Sequence, residues 1–291
     1  MRPPYQIIDA HVHIAPWEQV LPDAEALMKA GRKDFDTAYL ICHDPHRLIA
    51  EMDRSGIEQL VMINYVTPDV VGFTEEANEF SARTAKPYPQ RLIPFGGIDP
   101  RRVSNVADEM DRLLGDLGLR GIKLHPPHQF FRANDYLNGE DLRGLATVYE
   151  KCIAYKVPVM VHTGTSVFPR ARNKYADPMD LDDVIVDFPD LNLIIAHGGR
   201  PLYMDETFFL LRRSPNVFVD ISSVPPKKLL RYFPWIDRVA DQAMFGSDWP
   251  GPGVKDLSTN IEDFYTLSLP EDIKRKILRE TALKVFNQHF T

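Results

Sequence analysis

Two histidines one residue apart, His11 and His13, end the apolar run Ile7-Ile8-Asp9-Ala10-His11-Val12-His13-Ile14 near the start of the chain. Alternate side chains of an extended strand share a face. The run therefore predicts Asp9, His11 and His13 on one side and Ile8, Ala10, Val12 and Ile14 on the other. Neutral imidazole is the commonest protein ligand for zinc and its neighbours, so the pair reads as half of a metal site. Other apolar runs end in residues of the same kind: Lys123 and His125, His162, His197 and Asp248. Taken singly each has a plain explanation, since buried histidines often bond carbonyls and an aspartate often caps a helix. Their recurrence at the ends of separate apolar runs calls for a shared cause, a fold that brings those ends together.

The elements between them supply that fold. Eight short runs rich in β-branched residues lie at 7–14, 59–64, 91–98, 119–125, 157–162, 191–197, 216–221 and 242–248. Segments with helical spacing follow: 45–52 behind an Asp44-Pro45 cap, 74–84, 103–114, 140–154 and 178–188, with closing helices over 273–290. Strict strand–helix alternation with continuous apolar strands predicts an all-parallel sheet covered by helices, and eight units in one chain predict a closed α/β (β/α)8 barrel. No G-x-G-x-x-G turn follows the first strand to mark an open doubly wound sheet. In such a barrel the strand C-termini form the catalytic face. The long connections 15–58, 126–141 and 163–177 are candidates for lids or binding loops. One domain over 1–291 is expected, with no interdomain linker.

Composition excludes several classes. A net charge of −7 without a basic run argues against a nucleic-acid partner and for a small-molecule substrate. Cys42 and Cys152 are far apart, which predicts packing thiols and a cytoplasmic location. No signal-like segment or run of 18 apolar residues points to a membrane. A homo-oligomer is compatible with all of this.

The motifs Asp9-Ala10-His11-Val12-His13, Gly121-Ile122-Lys123-Leu124-His125-Pro126, Val161-His162-Thr163-Gly164-Thr165, Ala196-His197-Gly198-Gly199-Arg200-Pro201 and Phe245-Gly246-Ser247-Asp248-Trp249-Pro250 resemble, in this order, those of the amidohydrolase superfamily. They resemble most its amidohydrolase-2 branch, which also holds aminocarboxymuconate semialdehyde and γ-resorcylate decarboxylases. The resemblance implies a (β/α)8 barrel, a divalent metal bound by His11, His13, His162 and Asp248, and His197 beside the metal-bound water or substrate. Imidazoles with one carboxylate suit Zn²⁺, with Mn²⁺, Fe²⁺, Co²⁺ or Ni²⁺ as alternatives, whereas Mg²⁺ and Ca²⁺ call for oxygen ligands. Such an ion brings the pKa of bound water near 7. Asp248 is then suited to take that proton and His197 to orient the water or polarise the substrate.

Lys123 keeps three readings open: a carboxylated bridge between two metals, as in binuclear members of the superfamily; a cation for a substrate carboxylate beside one metal, which is favoured; or a buried ion pair with Asp9 or Asp220. His125, Arg170 and Arg200 are further candidates for substrate binding, with Arg172 in the same loop as Arg170. His128, Phe130 and Phe131 are candidates to line a pocket or pack a loop, and Trp17 and Trp249 to flank the ligand or pack. His43 and His46 read as surface or lid residues, and His289 as outside the site. The function expected is hydrolysis of a small carboxylate-bearing amide, lactone or ester, with non-oxidative decarboxylation as the rival. A TatD-like metal-dependent nuclease would need a glutamate at the end of strand four, where this chain has Lys123-Leu124-His125. A non-catalytic binding barrel would leave a full ligand set unexplained.

Overall fold

The computed structural model describes residues 2–30, 32–139 and 142–286. Its strands are β1 (Ile7–Val12), β2 (Ile57–Met62), β3 (Leu92–Pro94), β4 (Ile122–Leu124), β5 (Val159–His162), β6 (Leu193–Ala196), β7 (Val217–Asp220) and β8 (Ala243–Met244). All pair in parallel, in the orders β1-β2-β3 and β4-β5-β6-β7-β8. Two seams close the ring. Gly96 bridges Ile122 between β3 and β4, and Val12 bridges Trp249 just beyond β8. Ala10 N–H also donates to the Phe245 carbonyl at 2.9 Å. The result is the eight-stranded barrel that the alternating runs predict.

Strand periodicity sorts the apolar residues into two layers. Ile8, Ala10, Val61, Ile63, Ile93, Phe95, Met160, Ile194, Phe218 and Met244 form the inner cluster. Their neighbours Leu60, Met62, Leu124, Val161, Ile195 and Val219 belong to the outer cluster, packed with residues from the helices. The N-terminal end of the barrel is plugged by Ala282, Val285 and Phe286 of a closing helix, with the Phe286 ring 6.0 Å from that of Phe95. The rest of the predicted closing segment, His289 included, lies outside the described residues.

The long first connection is largely helical, with Pro22–Lys29 and Phe35–His43 preceding the helix Pro45–Ser55 that packs beside β2. His43 stacks on Tyr39 at 4.1 Å and His46 bonds the Tyr88 hydroxyl, both away from the barrel mouth. The Pro45–Ser55 helix is fixed at both ends by local chemistry. The Asp44 carboxylate accepts from His46 N–H at 2.9 Å and Arg47 N–H at 3.3 Å, and Gly56 takes the left-handed turn at φ 76°. Asp44→Ala is expected to cost about 1 kcal/mol, lowering Tm by about 2–4 °C in thermal unfolding.

Candidate metal centre and active site

Backbone hydrogen bonds across the β1–β8 seam join the two ends of the chain at the mouth. Asp248 N–H donates to the His11 carbonyl at 2.9 Å, and His13 N–H to the Trp249 carbonyl at 2.8 Å. Asp9 staples the seam, its Oδ1 accepting from His11 N–H at 3.1 Å and Ser247 N–H at 2.9 Å. The simple alternation predicted for β1 does not hold. Ile8 and Ala10 are both in the inner cluster, whereas Val12 and Ile14 are in the outer one, because the β1–β2 register shifts between Asp9 and Val12. An irregularity of this kind re-aims side chains. Here His11 and His13 turn into the mouth while Asp9 is spent on the seam. His197 (φ 64°) and Asp248 (φ 62°) both occupy the left-handed region, a costly backbone state for non-glycine residues that clusters at functional sites.

Three of the imidazoles are oriented through Nδ1. His11 Nδ1–H donates to Asp220 Oδ2 at 2.5 Å, His13 Nδ1–H donates to the Ile63 carbonyl at 3.3 Å, and His197 Nδ1 meets the Ser222 carbonyl at 3.2 Å and hydroxyl at 2.8 Å. These bonds set the tautomers so that the Nε2 lone pairs of His11 and His13 face the centre, as conserved partners behind metal ligands do. His11 Nε2 and His162 Nε2 are buried without a hydrogen-bond partner. Asp248 Oδ1 stands 3.0 Å from His13 Nε2 and 3.5 Å from His11 Nε2. Two donors on one ion at ~2.0–2.2 Å lie about 3.0–3.5 Å apart, so lone pair facing carboxylate at these distances fits a bridging cation. Burial drives His11, His162 and His197 well below their ordinary pKa, which keeps them neutral and able to ligate.

The donor atoms gathered most tightly are those of His11, His197 and Asp248, all within 4.8 Å of one another. His13 adjoins this group through Asp248, and the His162 ring lies 4.7 Å from that of His197. His197 therefore stands among the donors themselves, where the family pattern placed it beside them. His162 instead stacks on His125 at 3.8 Å.

Above the cluster opens a cavity of about 290 Å³, at the small end for ligand pockets. Lys123, His125 and Arg200 line it together with Trp17, Tyr65 and Phe168. Lys123 and His125 thus share a face as predicted. Lys123 is 1 % exposed and its Nζ bonds nothing among the described residues, so the third of its readings, an ion pair with Asp9 or Asp220, does not hold. Arg200 is anchored by Nη1 on the Thr165 carbonyl at 2.9 Å and Nη2 on the Ser223 hydroxyl, leaving a buried Nε unpaired. Arg170 does not join them. It is half-exposed and bonded to Asp23 at 2.9 Å, outside the cavity lining, because its loop turns outward after Phe168. Arg172 is exposed as well. Trp17 flanks the cavity, whereas Trp249 and Phe131 are packing residues.

Asp220, Ser222 and Tyr65 were not assigned to the site from sequence. Asp220 had a signal, because it is the one charged residue of the seventh apolar run, one position before its end, and it closes β7. Gly246 explains how the dyad fits: a Cβ there would lie 2.6 Å from Asp220 Oδ1 and 2.7 Å from His11 Cβ. Gly246→Ala is expected to displace the Asp220–His11 pair. Metal titration calorimetry should show about 10–100-fold weaker binding, with a steric cost of about 1–3 kcal/mol in unfolding.

Comparison with known proteins decides the family. A family model described as amidohydrolase matches residues 8–288. The chain belongs to the amidohydrolase family, in its amidohydrolase-2 branch. A curated relative, the 2-amino-3-carboxymuconate-6-semialdehyde decarboxylase of Dictyostelium discoideum, is 21% identical over 273 residues, covering 79% of this chain and 73% of that protein. Among solved structures, a TIM-barrel protein of Bordetella bronchiseptica superposes with a TM-score of 0.76 at 24% identity, covering 98% of this amidohydrolase and 100% of that chain. A 5-carboxyvanillate decarboxylase of Novosphingobium aromaticivorans, solved with bound manganese, superposes with a TM-score of 0.66 at 16% identity over 98% and 97% of the two chains. The family is enzymatic and metal-dependent, and its members include decarboxylases as well as hydrolases. In this amidohydrolase, no described helix is long and apolar enough to cross a membrane.

Proposed function

We propose that this amidohydrolase hydrolyses a small carboxylate-bearing lactone, ester or amide. The observation that carries the reading is the Asp248 carboxylate, whose Oδ1 stands 3.0 Å from His13 Nε2 and 3.5 Å from His11 Nε2, in a cavity whose other charged groups, Lys123 and Arg200, are cations with unpaired N–H groups. His11, His197 and Asp248, with His13 and His162 adjoining, would hold a divalent ion. Zn²⁺ suits these donors, and Mn²⁺, Fe²⁺, Co²⁺ and Ni²⁺ are alternatives. When bound, such an ion polarises the reacting carbonyl and makes water a better nucleophile at neutral pH. Asp248 takes the proton of the attacking water and returns it to the leaving oxygen or nitrogen as the acyl bond breaks. Lys123 and Arg200 grip the substrate carboxylate, where burial strengthens their attraction for an anion. A formal net charge of −7 argues against a nucleic-acid substrate. The reading includes a cytoplasmic location and leaves self-association open.

A second reading, non-oxidative decarboxylation on the same groups, is supported by the curated relative named for that reaction. There Asp248 or His197 would deliver a proton to the carbon that loses carbon dioxide. The test loads the stripped protein with Zn²⁺ or Mn²⁺ and supplies carboxylate-bearing lactones, esters and amides beside aromatic and unsaturated acids. Metal-dependent acid release without carbon dioxide supports hydrolysis, carbon dioxide release moves the assignment to the second reading, and turnover that persists in the stripped protein overturns both.

A further inference from the structure

The outside of the barrel carries a face that the chemistry above does not use. Seven large apolar side chains stand exposed among the described residues, and five of them, Val167, Met179, Val186, Leu202 and Phe209, belong to the neighbouring units that follow β5 and β6. In the helix Asp180–Asp187, Leu181 and Val184 pack inward, so Val186, about 200° further round than Val184, points to solvent and is 56% exposed. In the helix Met204–Arg213, Thr207, Leu210 and Leu211 pack inward, and Phe209 is 48% exposed for the same reason. Arg213 joins the two helices. Its Nε donates to Asp182 Oδ1 at 2.9 Å, and its guanidinium lies 5.9 Å from the centre of the Phe209 ring. Apolar side chains scattered singly need no explanation on a surface, but a group on two adjoining helices does.

Charge is divided across this face. On the side of the first helix, Asp183 accepts from the Asn134 amide and Asp187 from the Tyr136 hydroxyl, both at 2.7 Å. Neutral donors leave both negative charges uncompensated. On the far side of the second helix, Phe208 stacks on Trp235 at 4.8 Å, and the guanidiniums of Arg212 and Arg238 lie 5.7 and 5.1 Å from the Phe208 ring centre. Both arginines are exposed, and neither pairs with a carboxylate among the described residues. Asp237, beside Arg238 in the chain, leaves that edge net positive. Asp205 and Glu206 sit in the first turn of the second helix, with Asp205 about 10 Å along the axis from Arg212. The face therefore runs from an anionic edge, over an apolar centre, to a cationic edge.

Two-fold symmetry makes such a face its own complement. Half a turn about an axis through the apolar centre lays each anionic edge on the cationic edge of a second copy, as an isologous interface requires. A partner of one charge sign would suit one edge and be repelled by the other. We propose that the helices Asp180–Asp187 and Met204–Arg213 form the interface of a two-fold dimer of this chain. Val186 and Phe209 lie at its core, and Asp183 and Asp187 face the partner's Arg212 and the partner's Arg238.

Sedimentation velocity of the full-length, Zn²⁺-loaded protein tests this, at concentrations up to about 100 μM, well above the micromolar Kd of the weakest standard-sized interfaces. A dimer is expected. Phe209→Glu should weaken it by about 30-fold or more, the loss typical of a central anchor. Charge reversal supplies the stricter test. Arg212→Glu with Arg238→Glu makes both edges negative, and Asp183→Arg with Asp187→Arg makes both positive, so each double variant should be monomeric alone. Mixed in equal amounts they should form a dimer with one copy of each, because opposite edges then meet at both contacts. Misfolded chains would not re-pair in this way, so the mixture separates repulsion from damage. Should the aspartate variant fail to fold, Phe209→Glu and the arginine variant still decide, since they alter only exposed side chains. A wild-type protein that stays monomeric throughout overturns the proposal. So does a dimer that survives Phe209→Glu and the arginine reversal, or a mixture of two folded variants that does not re-pair.

Discussion

Asp248→Asn should lower kcat at saturating metal by about 10²–10⁴-fold, the usual contribution of a positioned general base, and should also weaken metal binding. The substitution keeps the shape of the side chain but removes the charge and the basic oxygen that face His13 and His11 at 3.0 and 3.5 Å. The fold has little reason to suffer. The backbone bond from Asp248 N–H to the His11 carbonyl is untouched, and the new amide can donate to the His13 Nε2 lone pair that the carboxylate could only oppose. Steady-state kinetics at several metal concentrations, with metal titration calorimetry, separate lost affinity from lost chemistry. A variant within tenfold of wild type at saturating metal would sink the role assigned to Asp248.

Lys123→Met is expected to abolish carboxylate binding while stabilising the metal-free protein. Lys123 is buried inside the barrel with its ammonium bonded to nothing among the described residues. Burial pushes its pKa down to about 8, against the opposing pull of Asp220 and Asp248. Holding the charged form in the folded state therefore costs stability, and an unbranched apolar side chain of similar length removes the cost, by about 1–3 kcal/mol. The sign of the pH dependence follows. The wild-type penalty is fully present below the folded pKa of about 8 and disappears above the ordinary 10.5, where the amine is neutral in both states. The stability advantage of the variant should be largest below pH 8 and shrink as pH rises toward 10.5. Chemical denaturation of both metal-free proteins across that range provides the measurement, and a destabilised variant at pH 7 would show that Lys123 has a partner holding it. Stability gained by deleting a site residue is the usual trade against function.

Much of this was legible in the chain itself, because it depends on local pattern. Apolar β-branched runs separated by helical spacing specify a parallel barrel however their residues later pack, and the residues ending those runs must then meet at one rim. That logic placed His11, His13, Lys123, His125, His162, His197 and Asp248 in a common site, and Arg200 with them. What needed tertiary structure was everything set by contacts between distant segments. The β1 irregularity that sends Asp9 to the seam arises from pairing with β2, and no period within eight residues contains it. The outward turn of Arg170 toward Asp23, the union of Asp220 with His11, and the hydrogen bonds of His128 with Tyr65 and Ser166 each join residues tens to hundreds of positions apart. Residue types and spacing determined which groups would meet and the broad chemistry they could support. Only folding decided which way each side chain points and what stands behind it, because those follow from hydrogen bonds and steric fit between elements that are strangers along the chain.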